Sequence, residues 1–370
     1  VITYFSVSNF KSFNSEFSFD FKNTHGYNFN KESIKNNIVN NALVYGHNGV
    51  GKSNLGIAIF DIIGHLTEKN SNESEYSYYL NALNTTKTAK FKYEFLINTD
   101  RITYIYEKTD VKNIVSESFF INDKELASID RRNSDTANIS FMGTESLKKD
   151  IKNKELSILK YVKNNSVLDD NKENTTFLTF FKFIEGMLFF RSLQDNIYLG
   201  LEIGSRGILE DIIEKDNVYD FEDFLNRAGI ECKLTTMKET EEDTIAFEFE
   251  KKKIPFYRIA SQGTRALSLF YYWFQRLKEE NKVTFLFIDE FDAFYHHELS
   301  ALIVEELKKT GIQFILTTHN TSIITNDLLR PDCYFLMNKE RIKSLAKSTP
   351  KELREAHNIE KMYKAGKFNV

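Results

Sequence analysis

Residues 46–53 read GHNGVGKS, a full match to the pattern G-x-x-x-x-G-K-[ST]. Glycines at 46, 49 and 51 let the backbone turn so that its N–H groups converge on phosphate oxygens. Lys52 is placed to reach β- and γ-phosphates and the Ser53 hydroxyl to bind Mg²⁺, with His47, Asn48, Val50 and Asn54 completing the loop. Upstream, ALVY at 42–45 reads as a short buried strand. Downstream, Leu55, Ile59, Ile62, Ile63 and Leu66 recur at helical spacing, so a helix beginning near Lys52 aims its positive end at the same phosphates. A glycine turn without chemical meaning would not require that strand before it and that helix after it.

Three further stretches extend the site. TFLFIDE (284–290) is an apolar strand ending in two acids, a Walker B element. Asp289 would hold Mg²⁺ through water, and Glu290 would orient or deprotonate an attacking water. ILTTH (315–319) is a second apolar strand, and His319 at its end fits a switch residue that contacts the γ-phosphate. Asp292, two residues past Glu290, fits a loop that crosses a dimer interface. SQGT (261–264) opens a helix, where Ser261 and Gly263, flanked by Gln262 and Thr264, offer a hydroxyl and bare backbone to an anion.

The rest of the chain divides by periodicity. Residues 2–7 and 16–21 alternate as strands do, and residues 90–122 read as an antiparallel meander. Residues 145–230 read as mostly helical, including a buried helix over the apolar run FLTFFKFIEGMLFFRSL at 177–193. Two strands near 232–237 and 244–250 follow. Helix 264–280, strand 283–288, helix 296–309, strand 312–316, helix 321–328 and strand 333–337 then alternate, which implies a parallel sheet covered on both faces. The expected organisation is an N-terminal lobe over 1–140, a helical insertion over 141–230 and a C-terminal lobe over 231–370.

Composition narrows the class. In 370 residues, 41% are hydrophobic, enough for a packed core. Lys plus Arg is 49 against 53 Asp plus Glu, a net charge of −4 that gives no overall support for a nucleic-acid partner, although a local basic face stays open. Two cysteines without a Cys-x-x-Cys exclude a disulfide framework and suit a reducing cytoplasm. Lys182, Glu185 and Arg191 interrupt the most apolar run, so no membrane span is expected.

These four elements in this order resemble the ABC-ATPase superfamily, specifically its SMC- and OLD-like branch. NFKSF (9–13) resembles the N-terminal strand of that branch, which adds Lys11 and Ser12 to the nucleotide-binding set. SQGTR (261–265) resembles a reduced signature motif, and DEFDAFYHHEL (289–299) its Walker B and D-loop. AHNIEKMYKAGKF (356–368) resembles the tail of "AAA family" ATPases of abortive-infection and anti-phage operons. The resemblance covers 1–60 and 255–370 well and the middle poorly. It implies an α/β P-loop NTPase of the ABC head type, with a mostly parallel sheet, an antiparallel β subdomain and a helical insertion. It also implies ATP and Mg²⁺ as ligands and a head-to-tail dimer in which Ser261–Thr264 of one copy faces the P-loop of the other. A separate effector, a nuclease or toxin, would be the protein partner. The sequence departs from the family in its ASQGT signature and in lacking a coiled coil. It offers only Gln194, a poor fit, for the glutamine loop, and about 50 residues after His319 leave no room for a Toprim nuclease domain. A DNA-repair or chromosome-maintenance ATPase of the SMC type, and a scaffold that binds ATP with negligible turnover and holds an effector inactive, remain alternatives.

Overall fold

The computed structural model describes residues 1–22, 24–69, 73–191, 198–200, 207–239, 242–278, 282–293 and 297–369. Two seven-stranded sheets build the molecule. The first runs in the order Tyr198–Gly200, Met187–Arg191, Phe285–Asp289, Gln313–Thr318, Asn41–Tyr45, Tyr334–Met337, Ile342–Ser344. Its five central strands are parallel and its two edges antiparallel. Phe285–Asp289 and Gln313–Thr318 are buried at every position, as strands covered on both faces must be.

The second sheet is antiparallel throughout. It joins Ile2–Ser8 and Phe17–Asp20 to the hairpins of Ala89–Ile97, Asp100–Lys108, Ile114–Ile121 and Lys124–Asp130, and ends at Asn138–Ile139. The meander therefore extends two strands beyond the stretch that alternation marks, and the first two strands of the chain complete it.

The helix Lys52–Leu66 lies between the two sheets and is apolar nearly all round, the pattern of a fully covered helix. Toward the parallel sheet, a Cβ on Gly56 would lie 2.6 Å from the Phe189 ring and 2.7 Å from the Phe287 ring. Toward the antiparallel sheet, Tyr93 donates to the Ala58 carbonyl at 2.9 Å, and Tyr79, Tyr106 and Lys108 converge on the buried Asp61 carboxylate at 2.8–2.9 Å. One residue further ties the sheets together. The buried Gln313 side chain donates to the carbonyls of Ile2 and Val39 and accepts from the Ile2 amide at 2.7 Å.

Two expectations fail here. The run 177–193 is not one helix: Lys172–Glu185 is helical, Gly186 turns the chain, and Met187–Arg191 becomes a strand of the parallel sheet. A buried parallel strand carries no alternation, so periodicity alone cannot separate it from a buried helix. The middle segment is accordingly not a purely helical insertion, because it supplies the neighbour of the Walker B strand. The expected helix 321–328 is only a 3₁₀ turn at Thr321–Ile323. Thr321, Ile323, Ile324 and Thr325 are β-branched, and the Tyr334 hydroxyl takes up the backbone groups of Ile323 and Thr325. A three-stranded sheet of Leu234–Glu239, Glu242–Phe249 and Lys252–Pro255 leads into the helix Gln262–Leu277. Among the described residues no helix is long and apolar enough to cross a membrane.

Candidate functional site

The strand Asn41–Tyr45 delivers the chain to Gly46, where a Cβ would meet the Met337 carbonyl oxygen at 2.7 Å. Gly51 caps the helix at φ 102°, and a Cβ there would meet Ser12 Oγ at 2.5 Å. Both positions therefore demand glycine. His47, Asn48 and Gly49 are exposed, Val50 is buried, and Ser53 and Asn54 are half-buried at the helix start.

Ser12 reaches this loop because NFKSF is a tight turn rather than a continuous strand. The Phe10 and Phe13 backbones pair with each other, and Asn9 and Lys11 adopt φ of 52° and 45°. Asn54 Nδ2 donates to Ser12 Oγ at 2.9 Å. Lys11 instead points to the Ser77 carbonyl at 2.9 Å, with its amine pushed to lower pKa by burial. Both residues flank the P-loop, and Ser12 alone of the two bonds to it.

Lys52 folds back over the loop. Its ammonium donates to the carbonyls of Gly46 at 2.8 Å and His47 at 3.3 Å and lies 3.0 Å from His319 Nε2. Burial lowers its pKa, an effect opposed by Asp289 and Glu290. His319 Nε2 is in turn 3.8 Å from Glu290 Oε1. Burial and then Lys52 lower the pKa of His319, which favours the neutral ring.

The Walker B carboxylates are positioned from the neighbouring strand. Thr317 Oγ1 donates to Asp289 Oδ1 at 2.7 Å and accepts from the Glu290 amide at 2.7 Å. Thr318 Oγ1 donates to Asp292 Oδ2 at 2.6 Å, and burial pushes the Asp292 carboxyl up to about 6. Glu290 itself sits at φ 51°, a left-handed conformation that costs a residue with a side chain about 1–3 kcal/mol and clusters at functional sites. Burial, then Asp289, raises its pKa. Sequence reasoning missed both threonines, and also Arg191, which pairs with Asp289 and with Glu75. The only sequence trace of the threonines is the polar pair that follows the apolar run FIL.

Ser261 caps the helix Gln262–Leu277, its Oγ accepting from the Thr264 amide at 3.1 Å. Ser261 and Gln262 are exposed, Gly263 is half-buried and Thr264 is buried. Among the described residues no hydrogen bond joins this helix start to residues 46–53 of the same chain. Gln194, and Phe294 to His296 of the D-loop stretch, lie outside the described residues.

Hard oxygen donors, a hydroxyl at Ser53 and a carboxylate at Asp289, are the set that Mg²⁺ prefers, so the residues present fit that ion. No group of three or more His, Cys, Asp or Glu side chains among the described residues would hold a metal without help from a substrate.

No curated protein matches the chain. Among solved structures it is similar to an SMC head bound to the C-winged helix domain of ScpA, at 17% identity and a TM-score of 0.47, covering 93% of this chain and 97% of that one. It is also similar to the SMC head domain from Thermotoga maritima, at 16% identity and a TM-score of 0.43, covering 95% and 99%. A third is an Smc head domain with an extended coiled coil bound to the C-terminal domain of ScpA derived from Pyrococcus furiosus, at 13% identity and a TM-score of 0.46, covering 93% and 96%. The family model described as "AAA domain, putative AbiEii toxin, Type IV TA system" matches residues 42–325, from the strand that enters the P-loop to beyond His319. The P-loop, Walker B strand and His319 strand lie side by side in one parallel sheet, and the chain belongs to this family.

Proposed function

We propose that the chain binds and hydrolyses ATP, closes head to tail with a second copy around two nucleotides, and thereby controls a separate nuclease or toxin in anti-phage defence. The observation that carries the ATPase reading is the meeting of Lys52, His319 and Glu290, from three distant segments, through contacts of 3.0 and 3.8 Å.

In this reading the backbone N–H groups of residues 46–53 and the Lys52 ammonium bind the β- and γ-phosphates, and Ser53 and Asp289 hold Mg²⁺. The ion supplies charge neutralisation on the phosphate oxygens. Glu290 takes a proton from water as its oxygen bonds to the γ-phosphorus. The bond to the bridging oxygen breaks, giving ADP and phosphate. The raised pKa of Glu290 makes it a stronger base than an ordinary carboxylate. An ammonium has no lone pair, so Nε2 of His319 accepts from Lys52 and Nδ1 carries the ring proton. His319 thereby orients the lysine and senses what lies beside it.

The dimer reading is supported by the exposure of Ser261 and Gln262 on a helix start that makes no hydrogen bond to its own P-loop. The defence role rests on the family alone. ATP turnover measured alone, with DNA, and with the product of the adjacent gene tests the whole reading. Turnover that responds to the adjacent product supports it. Turnover stimulated by DNA favours DNA repair or chromosome maintenance, and its absence under all conditions favours an ATP-binding scaffold.

A further inference from the structure

Arg191 is the last residue of the strand Met187–Arg191 and pairs in register with Asp289. Its Nε lies 3.3 Å from Asp289 Oδ2 and its Nη1 lies 3.0 Å from Glu75 Oε2. The side chain is 12% exposed and rests against the Phe189 ring, 5.8 Å from its centroid. One guanidinium thus bridges two carboxylates from different segments, and one of these is the carboxylate assigned above to Mg²⁺.

The two oxygens of Asp289 are not equivalent. Thr317 donates to Oδ1 at 2.7 Å, while Oδ2 faces the guanidinium. A divalent cation drawn to Asp289 meets a fixed positive charge beside the oxygen that it or its water would use. Like charges at this range repel strongly where water is scarce. Glu75 gives the guanidinium a second anion, already in contact, onto which it can settle with little movement of the backbone.

We propose that Arg191 is a positioning residue that competes with the divalent cation for Asp289, and that Glu75 receives it when the cation arrives. The pair then sets the cation concentration at which the site is filled. This rests on the assignment of Asp289 to the metal. A merely structural ion pair would behave differently, because breaking it from either side would loosen the same strand end and disturb the site in the same sense.

Competition predicts effects of opposite sign. Mn²⁺ is titrated into the full chain with a non-hydrolysable ATP analogue, and free Mn²⁺ is followed by electron paramagnetic resonance. Arg191→Gln removes the competing charge and should tighten Mn²⁺ about tenfold, which corresponds to about 1.4 kcal/mol. Glu75→Gln removes the alternative anion, leaves the guanidinium on Asp289, and should weaken Mn²⁺ about tenfold. Arg191→Lys keeps the charge and should stay within about threefold of wild type. Shifts in the same direction for Arg191→Gln and Glu75→Gln, or no shift in either, overturn the inference. If Arg191→Gln does not fold, Arg191→Met removes the charge in its place and must tighten Mn²⁺ while Glu75→Gln weakens it. An Asp289→Asn chain that binds Mn²⁺ like wild type overturns the metal assignment itself. A weakened Asp289→Asn chain without the opposed pair of shifts overturns only the role of Arg191.

Discussion

The ammonium of Lys52 lies 3.0 Å from His319 Nε2, although 267 residues separate them in the chain. The contact is possible because the strands Asn41–Tyr45 and Gln313–Thr318 are parallel neighbours whose C-terminal ends open on the same side of the sheet. Ligands of open α/β sheets bind at that end.

Lys52→Ala should lose ATP affinity by roughly 10²–10⁴-fold, since two charge-assisted bonds to phosphate are each worth about 1.5–3 kcal/mol. Near-normal affinity in an equilibrium binding assay would refute the assignment of residues 46–53.

Glu290→Gln should bind ATP normally and hydrolyse it about 10²–10⁴-fold more slowly, the usual worth of a general base. The trapped nucleotide should also hold two copies together, which sedimentation velocity reads directly. In the wild-type chain, hydrolysis should fall as the pH drops through the raised Glu290 value, because the base must be ionised to accept a proton. Single-turnover rates across pH check this.

Ser261→Arg should spare ATP binding by a single copy and block nucleotide-dependent pairing and turnover. A bulky cation at the exposed start of the Gln262–Leu277 helix would fill the space meant for the other copy's γ-phosphate. Unchanged turnover would mean that one copy completes the site by itself.

Asp292→Asn should stabilise the fold while impairing pairing of the heads. Burial raises the folded-state value of this carboxyl from 3.8 to about 6. Between those values the folded form holds a proton that the unfolded form has released. Stability is therefore lost as the pH rises through that window, and the penalty is complete above about pH 6. An amide keeps an acceptor for Thr318 and carries no such penalty. The variant should gain about 1–3 kcal/mol at pH 7.5 and nothing at pH 3.5. Equal denaturant midpoints for the two proteins at pH 7.5 would contradict this.

Gly56→Ala should destabilise by about 1–3 kcal/mol despite the better helix propensity of alanine. The added methyl would strike Phe189 and Phe287 at under 3 Å, and both rings are fully buried. Thermal melts in the absence of nucleotide would show it.

The legible part of this protein is the part where chemistry constrains consecutive residues. GHNGVGKS, FIDE and the strand ending before His319 each constrain the backbone within a few positions, and all three lie side by side as their order implies. The helix cap at Ser261 was readable for the same reason. Arg191 was not, since within FLTFFKFIEGMLFFRSL it looks like a charge breaking an apolar run. Its meaning depends on pairing with a strand some hundred residues later. Gly186 separates helix from strand for a tertiary reason that the reading of 177–193 as one helix could not see: a Cβ there would press on Thr284 and the Lys282 carbonyl at 2.7–2.9 Å.

The bond from Gln313 to the Val39 carbonyl spans 274 residues. The strand Asn41–Tyr45 is flanked in the sheet by Gln313–Thr318 and Tyr334–Met337, so both of its hydrogen-bonding edges are satisfied only by late-synthesised segments. At about 5–20 residues per second, a ribosome needs roughly 15–60 s to deliver them. For that interval the nascent chain carries a strand destined for full burial with two open edges, beside a glycine-rich loop that has no Walker B partner. Open edges of this kind invite mispairing, and the contact between Lys52 and His319 can form only as synthesis nears the end of the parallel sheet.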